Sequence, residues 1–156
     1  MREFISLRRA VSLGFLLLAA CGRSSAQLVP QLCPETVNDG GAAAALAMAL
    51  AYHGHPVSQD VLRQELWNPD GSTDALKMVQ SARAHGLRAR GVKVEEKGQL
   101  DQVPIGSIVH RKDDRFQVVE KVAGGRITVL DPFKGRQILP IDTFWADFSG
   151  VALFFE

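Results

Sequence analysis

The stretch from Asn38 to Gly54, NDGGAAAALAMALAYHG, constrains the fold more than any other part of the chain. Asn38 and Asp39 are good N-caps, alanine is the best helix former, and Gly54 is the usual residue just past a helix end. Apolar residues, most of them alanine, fall on every face. The helix is therefore buried all round, with neighbouring backbones drawn close. Everything else in the chain has to pack around it. Gly40 and Gly41 at its start leave free N–H groups open to a ligand or a peptide backbone, so function is to be sought at Gly40.

With 156 residues, 46% hydrophobic and 22% charged, the chain has the size and balance of one globular domain. The formal net charge is +1, and no basic run recommends nucleic acid or an acidic membrane surface as a partner. Residues 1–20 read as a targeting segment: Arg2, Arg8 and Arg9, then an apolar run from Val11 to Ala20 too short to span a bilayer. The junction Leu18-Ala19-Ala20-Cys21-Gly22 resembles a bacterial lipobox. That resemblance implies lipidation of Cys21, with Gly22 in the next position pointing to the outer membrane, facing the periplasm. Residues 21–27 form a polar tether and 28–156 the domain. Cys33 then has no partner for a disulfide.

Along the domain, 28–32 reads as extended and 34–38 as loop, followed by the central helix. A second helix starts after Pro56, capped by Ser58, with Val61, Leu62 and Leu66 on one face. Asn68-Pro69-Asp70-Gly71 is a turn. Ser72 or Thr73 caps a third helix that buries Leu76, Val79, Ala82 and Ala84 and stops at Gly86. The period then changes. Strands are expected over 87–94, 104–110, 115–122 and 126–130, with Gly124-Gly125 as a hairpin turn. A short strand over 136–139, a short helix from Pro140 carrying Phe144 and Trp145, and a closing strand over 150–155 complete the chain. Helices followed by a meandering antiparallel sheet make the fold class α+β.

This order of motifs resembles the papain-like, bacteriocin-processing cysteine peptidase domain, which cuts leader peptides after a double glycine. The residues that carry the resemblance are Asn38-Asp39-x-Gly41-Ala42-Ala43, Gly54, Val57-Ser58, Gly71-Ser72-Thr73, His85-Gly86-Leu87 and Ile108-Val109-His110. Phe116-x-Val118-Val119, Asp131-Pro132 and Gly150-Val151-Ala152-Leu153 follow. It spans roughly residues 28–155. The resemblance implies a papain-like fold, with N-terminal helices packed on a C-terminal antiparallel sheet. It also implies a thiol at the start of the central helix, a histidine on a strand, an orienting Asp and an oxyanion-holding Gln. At the corresponding positions this chain carries Gly40 for the thiol, Arg115 for the histidine and Pro34 for the Gln. Only the Asp is kept, as Asp131. Three of four parts are replaced, so the resemblance implies a degenerate copy with no catalytic residues.

The remaining candidates read as structural. Cys33 lies seven positions before Gly40, away from the helix dipole, and is an ordinary thiol. Gln31 as a displaced oxyanion donor explains nothing without a nucleophile. His110 is taken to lie on the strand face opposite to Arg115 because of its odd offset. His53, His55 and His85 read as favourable charges near helix C-termini rather than metal ligands. Tyr52, Met48 and Met78 are core candidates. Trp67 and Trp145 are anchors, either of which could flank a groove. From family geometry, Arg115 is expected to pair with Asp131 as an inert substitute for the His–Asp pair.

The leading expectation is a lipid-anchored domain, with no cofactor and no metal, that binds an extended peptide or exported-protein segment without cleaving it. Asp39, Gly40, Gly41, Arg115 and Phe116 are its expected contacts, and a separate secretion or envelope complex is its expected partner. Two alternatives stand beside it: a working thiol peptidase using Cys33, and a purely structural envelope interaction module.

Overall fold

The computed structural model describes residues 26–33 and 39–156. The targeting segment, Cys21, Pro34 and Asn38 lie outside the described residues. Helix α1 spans Ala42–Tyr52, and every residue from Ala42 to Leu50 is at most 1% exposed. Alanine along its length lets α2 (Gln59–Leu66) and α3 (Ala75–Ala84) pack on one side and the sheet on the other. The stop after it works as the sequence suggests. Gly54 takes φ 83°, and the N–H of His55 reaches back to the carbonyl of Leu50.

The start of α1 differs in detail. Gly41, with φ 80°, occupies the N-cap position, and the capping side chain comes from two residues upstream. The Asp39 carboxylate accepts from the N–H of Gly41 at 2.9 Å and from that of Ala43 at 3.4 Å, while its carbonyl accepts from Ala42. Donors expected to be open to a ligand are therefore already bonded to Asp39.

Helix α3 is capped by Asp74, whose carboxylate accepts from the Leu76 N–H, rather than by Ser72 or Thr73. Both of those are committed elsewhere: Ser72 to the Asp70 turn, and Thr73, whose hydroxyl donates to the Asp39 carbonyl. Starting the helix at Ala75 turns Met78, Val79 and Ala82 inward and leaves Leu76 and Ala84 exposed. In α2, Leu62 and Leu66 are buried but Val61 is exposed. A narrow stripe is enough, because this short helix covers only α1 and α3.

Six antiparallel strands follow: β1 (Ala89–Lys93), β2 (Ile108–Arg111), β3 (Phe116–Ala123), β4 (Arg126–Asp131), β5 (Gly135–Pro140) and β6 (Phe148–Phe155). Their order across the sheet is β1-β6-β2-β3-β4-β5. The closing strand thus inserts between β1 and β2 and joins the first strand to the meander. Gly124 and Gly125, both at positive φ, turn β3 into β4 in a two-residue hairpin with Ala123 opposite Arg126. The second strand begins later than 104. At Gly106 the chain turns, its N–H bonding the Val119 carbonyl, and Ile105 stays exposed.

Neighbouring residues on the central strands face two separate cores. Ile108, Val118, Leu130 and Leu153 point to the helices. Val109, Val119, Val129 and Ala152 point the other way, to Leu100, Phe144 and Phe148. The second face is covered by a 3₁₀ turn (Lys97–Gln102), absent from the sequence reading, and by α4 (Ile141–Asp147). Burial on both faces explains why Phe116 to Val119 in β3 and Val129 to Asp131 in β4 are buried without alternation. Among the described residues no helix is long and apolar enough to cross a membrane.

Candidate functional site: a groove at the start of the central helix

The N-terminal end of α1 meets the β2–β3 turn and the 131–134 turn at the floor of a groove. Its wall on the helical side is the 68–75 loop. One pocket of about 590 Å³ is lined by Asp39, Gly40, Gly71 to Thr73, His110, Asp113 to Phe116 and Phe133. A neighbouring one of about 740 Å³ shares Ser72, Thr73, His110, Asp114 and Phe116 with it and continues towards Asn68 and Val151. Four of the expected peptide contacts (Asp39, Gly40, Arg115 and Phe116) therefore share one pocket wall. Gly41 does not: a Cβ there would stand 2.8 Å from Pro132, so this glycine lets α1 sit directly on the 131–134 turn.

Gly40 carries φ 63°, and its carbonyl accepts from the Phe116 N–H at 3.0 Å. A Cβ at this position would fall 2.1 Å from the Asp114 carbonyl oxygen, which is backbone and has no rotamer to yield. The volume a side chain would need is filled by the β2–β3 turn itself. Asp114 is the one non-glycine residue with positive φ among those described, at 58°, a conformation that Asp and Asn tolerate better than other side chains.

Arg115 does not pair with Asp131. Its guanidinium lies over the Phe133 ring, 4.9 Å from the centroid, with Asp113 at 4.0 Å, and it stays half exposed. Burying five N–H donors beside Asp131 would require partners that are not there. Asp131, 2% exposed, is already saturated. One carboxylate oxygen accepts from Gln117 Nε2 at 2.7 Å; the other accepts from the N–H groups of Phe133 and Lys134 at 2.8 and 3.0 Å. Gln117 was missed in the sequence, although a single amide inside the apolar run from Phe116 to Val119 is the signal that marks it.

His110 pairs with Phe116 in register and so shares the face of Phe116 rather than that of Arg115, as expected, yet both His110 and Arg115 line the groove because it lies at the β2–β3 turn. The His110 Nδ1 lies 2.9 Å from Ser149 Oγ and its Nε2 3.3 Å from Asp114 Oδ1. Cys33 is buried outside the groove lining, its N–H bonded to the Pro132 carbonyl. Burial, then the carboxylate of Asp39, pushes its thiol pKa up, partly offset by Arg63. Such a thiol is mostly protonated at neutral pH and a poor nucleophile. Gln31 is turned away, within 3.5 Å of Gln59 on α2.

His53 departs from the helix-terminus reading. The Nε2 of His53 is buried without a partner and its ring packs edge-on to Tyr52 and near Phe155. Burial, with His55 nearby, lowers its pKa, so it packs as a neutral ring. His85 sits at the end of α3 as expected, but its imidazole meets Glu65 of α2 at 3.0 Å. Trp145 packs on Phe148, whereas Trp67 is 65% exposed and lines a small side pocket that shares Asp39, Ser72 and Thr73 with the groove. No cluster of three or more metal-binding side chains occurs among the described residues.

Residues 33–156 match the Peptidase C39 family. The chain belongs to this family. It is similar to a double-glycine-motif protease from an AMS/PCAT transporter, crystallised with its leader peptide. That match has 30% identity and a TM-score of 0.72, covering 86% of this chain and 94% of that one. The peptidase domain of Streptococcus ComA, described as a bifunctional ABC transporter in a quorum-sensing pathway, shares the fold at 24% identity and a TM-score of 0.69, over 83% and 97% of the two chains. The lactococcin-G-processing and transport ATP-binding protein LagD of Lactococcus lactis subsp. lactis is 29% identical over 116 residues. That region is 71% of this chain but only 16% of that protein. The papain-like peptidase architecture read from the motifs is thus the architecture of this C39 domain.

Proposed function

We propose that this chain is a catalytically degenerate C39 domain that holds an extended peptide, or a segment of an exported protein, in the groove without cutting it. The observation that carries the proposal is Gly40. At the position the family resemblance gives to the thiol there is no side chain, and the Asp114 carbonyl fills the space one would need. Arg115, at the position the resemblance gives to the histidine, carries a guanidinium with donors and no acceptor and stacks on Phe133, so it has no proton-transfer role. Asp131, kept in sequence, serves the turn and Gln117. The relative crystallised with a leader peptide supports a peptide as the ligand class. A groove of about 590 Å³ that remains open favours binding over a collapsed scaffold. Lipidation at Cys21, an outer-membrane location facing the periplasm, and a separate secretion or envelope complex as partner belong to the same proposal.

The test is retention without cleavage. Immobilised full-length chain is exposed to exported peptides from its own source, and the captured species are read by intact mass. Full-length peptides retained, with none shortened, support the proposal. Shortened products that vanish on Cys33→Ser overturn it in favour of a thiol peptidase.

A further inference from the structure

Resting on the lipid-anchored reading above, we propose that the pole of the domain opposite the groove docks on anionic phospholipid through Lys121, Arg126, Arg136, Ile105 and Ile138. Helices α1 and α3 lie over β1, β2 and β3. Beyond them, the same face of the sheet is bare at the β3–β4 hairpin. Leu130 points to the helices, so Thr128 and Arg126, two and four residues back along β4, point the same way. Register sets Lys121 and Ile138 on either side of Thr128, Arg136 opposite Leu130 and Pro140 opposite Arg126. Lys121, Arg126, Arg136, Ile138 and Pro140 are all exposed.

No run of the sequence gathers these cations; strand pairing does. Residues 28–156 carry 14 basic and 16 acidic side chains, so a face with three cations runs against the balance of the domain. Glu120 beside them is held through both oxygens by Arg136 at 2.7 Å, while Lys121 and Arg126 have no carboxylate partner among the described residues. Ile105 and Ile138 are about half exposed and belong to neither core. Apolar side chains flanked by lysine and arginine suit the headgroup boundary of a bilayer that carries anionic lipid.

The course of the chain points to the same occupant independently. Ala26, Gln27 and Leu28 line a pocket of about 320 Å³ together with Tyr52, Ile105, Glu120 and Arg136, so the chain enters the domain beside this face. Five residue steps separate Ala26 from Cys21, the proposed lipidation site, at most about 18 Å of chain. A lipid at Cys21 therefore keeps this pole within reach of the bilayer. The acyl chains hold the domain, and the basic face sets how it lies. Tyr52 ends α1, whose 11 residues span about 16 Å, and Gly40 lies beyond its other end. Strand β3 likewise runs from Phe116 in the groove to Ala123 at the hairpin. Docked this way, the domain opens its groove away from the membrane, towards exported segments.

The experiment takes the full-length chain, purified in detergent from membranes of its own source and reconstituted into phosphatidylcholine vesicles with or without phosphatidylglycerol. A thiol-reactive fluorophore is attached at Ile138→Cys or, beside the groove wall, at Leu76→Cys; both positions are exposed, whereas Cys33 is buried. Quenching by acrylamide at 138 is expected to fall about threefold from neutral to anionic vesicles and to stay unchanged at 76. Lys121→Gln with Arg126→Gln, at two exposed positions, removes the difference between the vesicles. Equal quenching at 138 in both kinds of vesicle, or stronger protection at 76 than at 138, overturns the docking surface and leaves the anchor standing. A chain that leaves with the aqueous phase in detergent partition carries no lipid, which overturns the anchor and the docking surface together.

Discussion

At position 40 a missing side chain and a neighbouring carbonyl oxygen explain each other. The β2–β3 turn can lie on the start of α1 only because Gly40 has no Cβ, and φ 63° there is easy only for glycine. On the proposed reading, restoring the family's residue types is not expected to restore a site, because the Asp114 carbonyl stands where a side chain at position 40 would begin. Gly40→Cys with Arg115→His is expected to stay inert towards a double-glycine leader peptide and to lose about 2–4 kcal/mol of stability, combining positive-φ strain with overpacking. Urea unfolding and a mass-spectrometric cleavage assay check both halves; a folded, cutting double variant contradicts the account.

Asp131 behaves oppositely. It is retained, but as a brace. Asp131→Ala removes three hydrogen bonds and leaves the Gln117 amide and two backbone N–H groups to find partners. A loss of about 2–4 kcal/mol is expected in urea unfolding. These residue roles were only partly legible beforehand. The resemblance singled out Gly40, Arg115 and Asp131, but their neighbours depend on how a tight turn folds over a helix. Spacing does not encode that contact. The expected Arg115–Asp131 pair failed for this reason, and that His110 nevertheless lines the groove follows from the turn between the two residues, which no spacing shows.

Among the elements, α1 was the most legible, because alanine on all faces between a cap signal and Gly54 admits little else. Its ends were less so. Asp39 reaches past the N-cap position and takes the amides a ligand was expected to use, and the neutral ring of His53 closes the other end. The lowered pKa of His53 gives the helix a pH signature. Its unfolded form binds a proton more readily than its folded form, so its contribution is fully present above the ordinary histidine pKa, about 6.5, and declines as pH falls below it. Thermal melts from neutral pH to about 5 should show a drop in Tm that His53→Phe flattens; an unchanged slope in the variant would assign the loss to other groups. The antiparallel run of strands and the hairpin followed from apolar runs and the Gly124-Gly125 turn, whereas the insertion of β6 between β1 and β2 did not. The 3₁₀ cover over the second face was missed because Lys97–Gln102 contributes only Leu100 to a core and shows no period.

For the whole molecule, scaffold and chemistry separate cleanly. The helices packed on a six-stranded antiparallel sheet are those of a C39 domain, while the proposed loss of the peptidase chemistry rests on Gly40 and Arg115 at the positions the resemblance gives to the thiol and the histidine. Most stability comes from the two cores, which the groove lining barely enters, so that lining can change without loss of the fold.

The most direct test of a groove that binds and does not cut is an NMR titration of the isotope-labelled chain with a double-glycine leader peptide, followed until any product would accumulate. The account predicts shifts clustered at residues 39–41, 71–74 and 110–116, and peptide signals unchanged at the end. Peptide converted to products, or shifts confined to surfaces away from the groove, would contradict it.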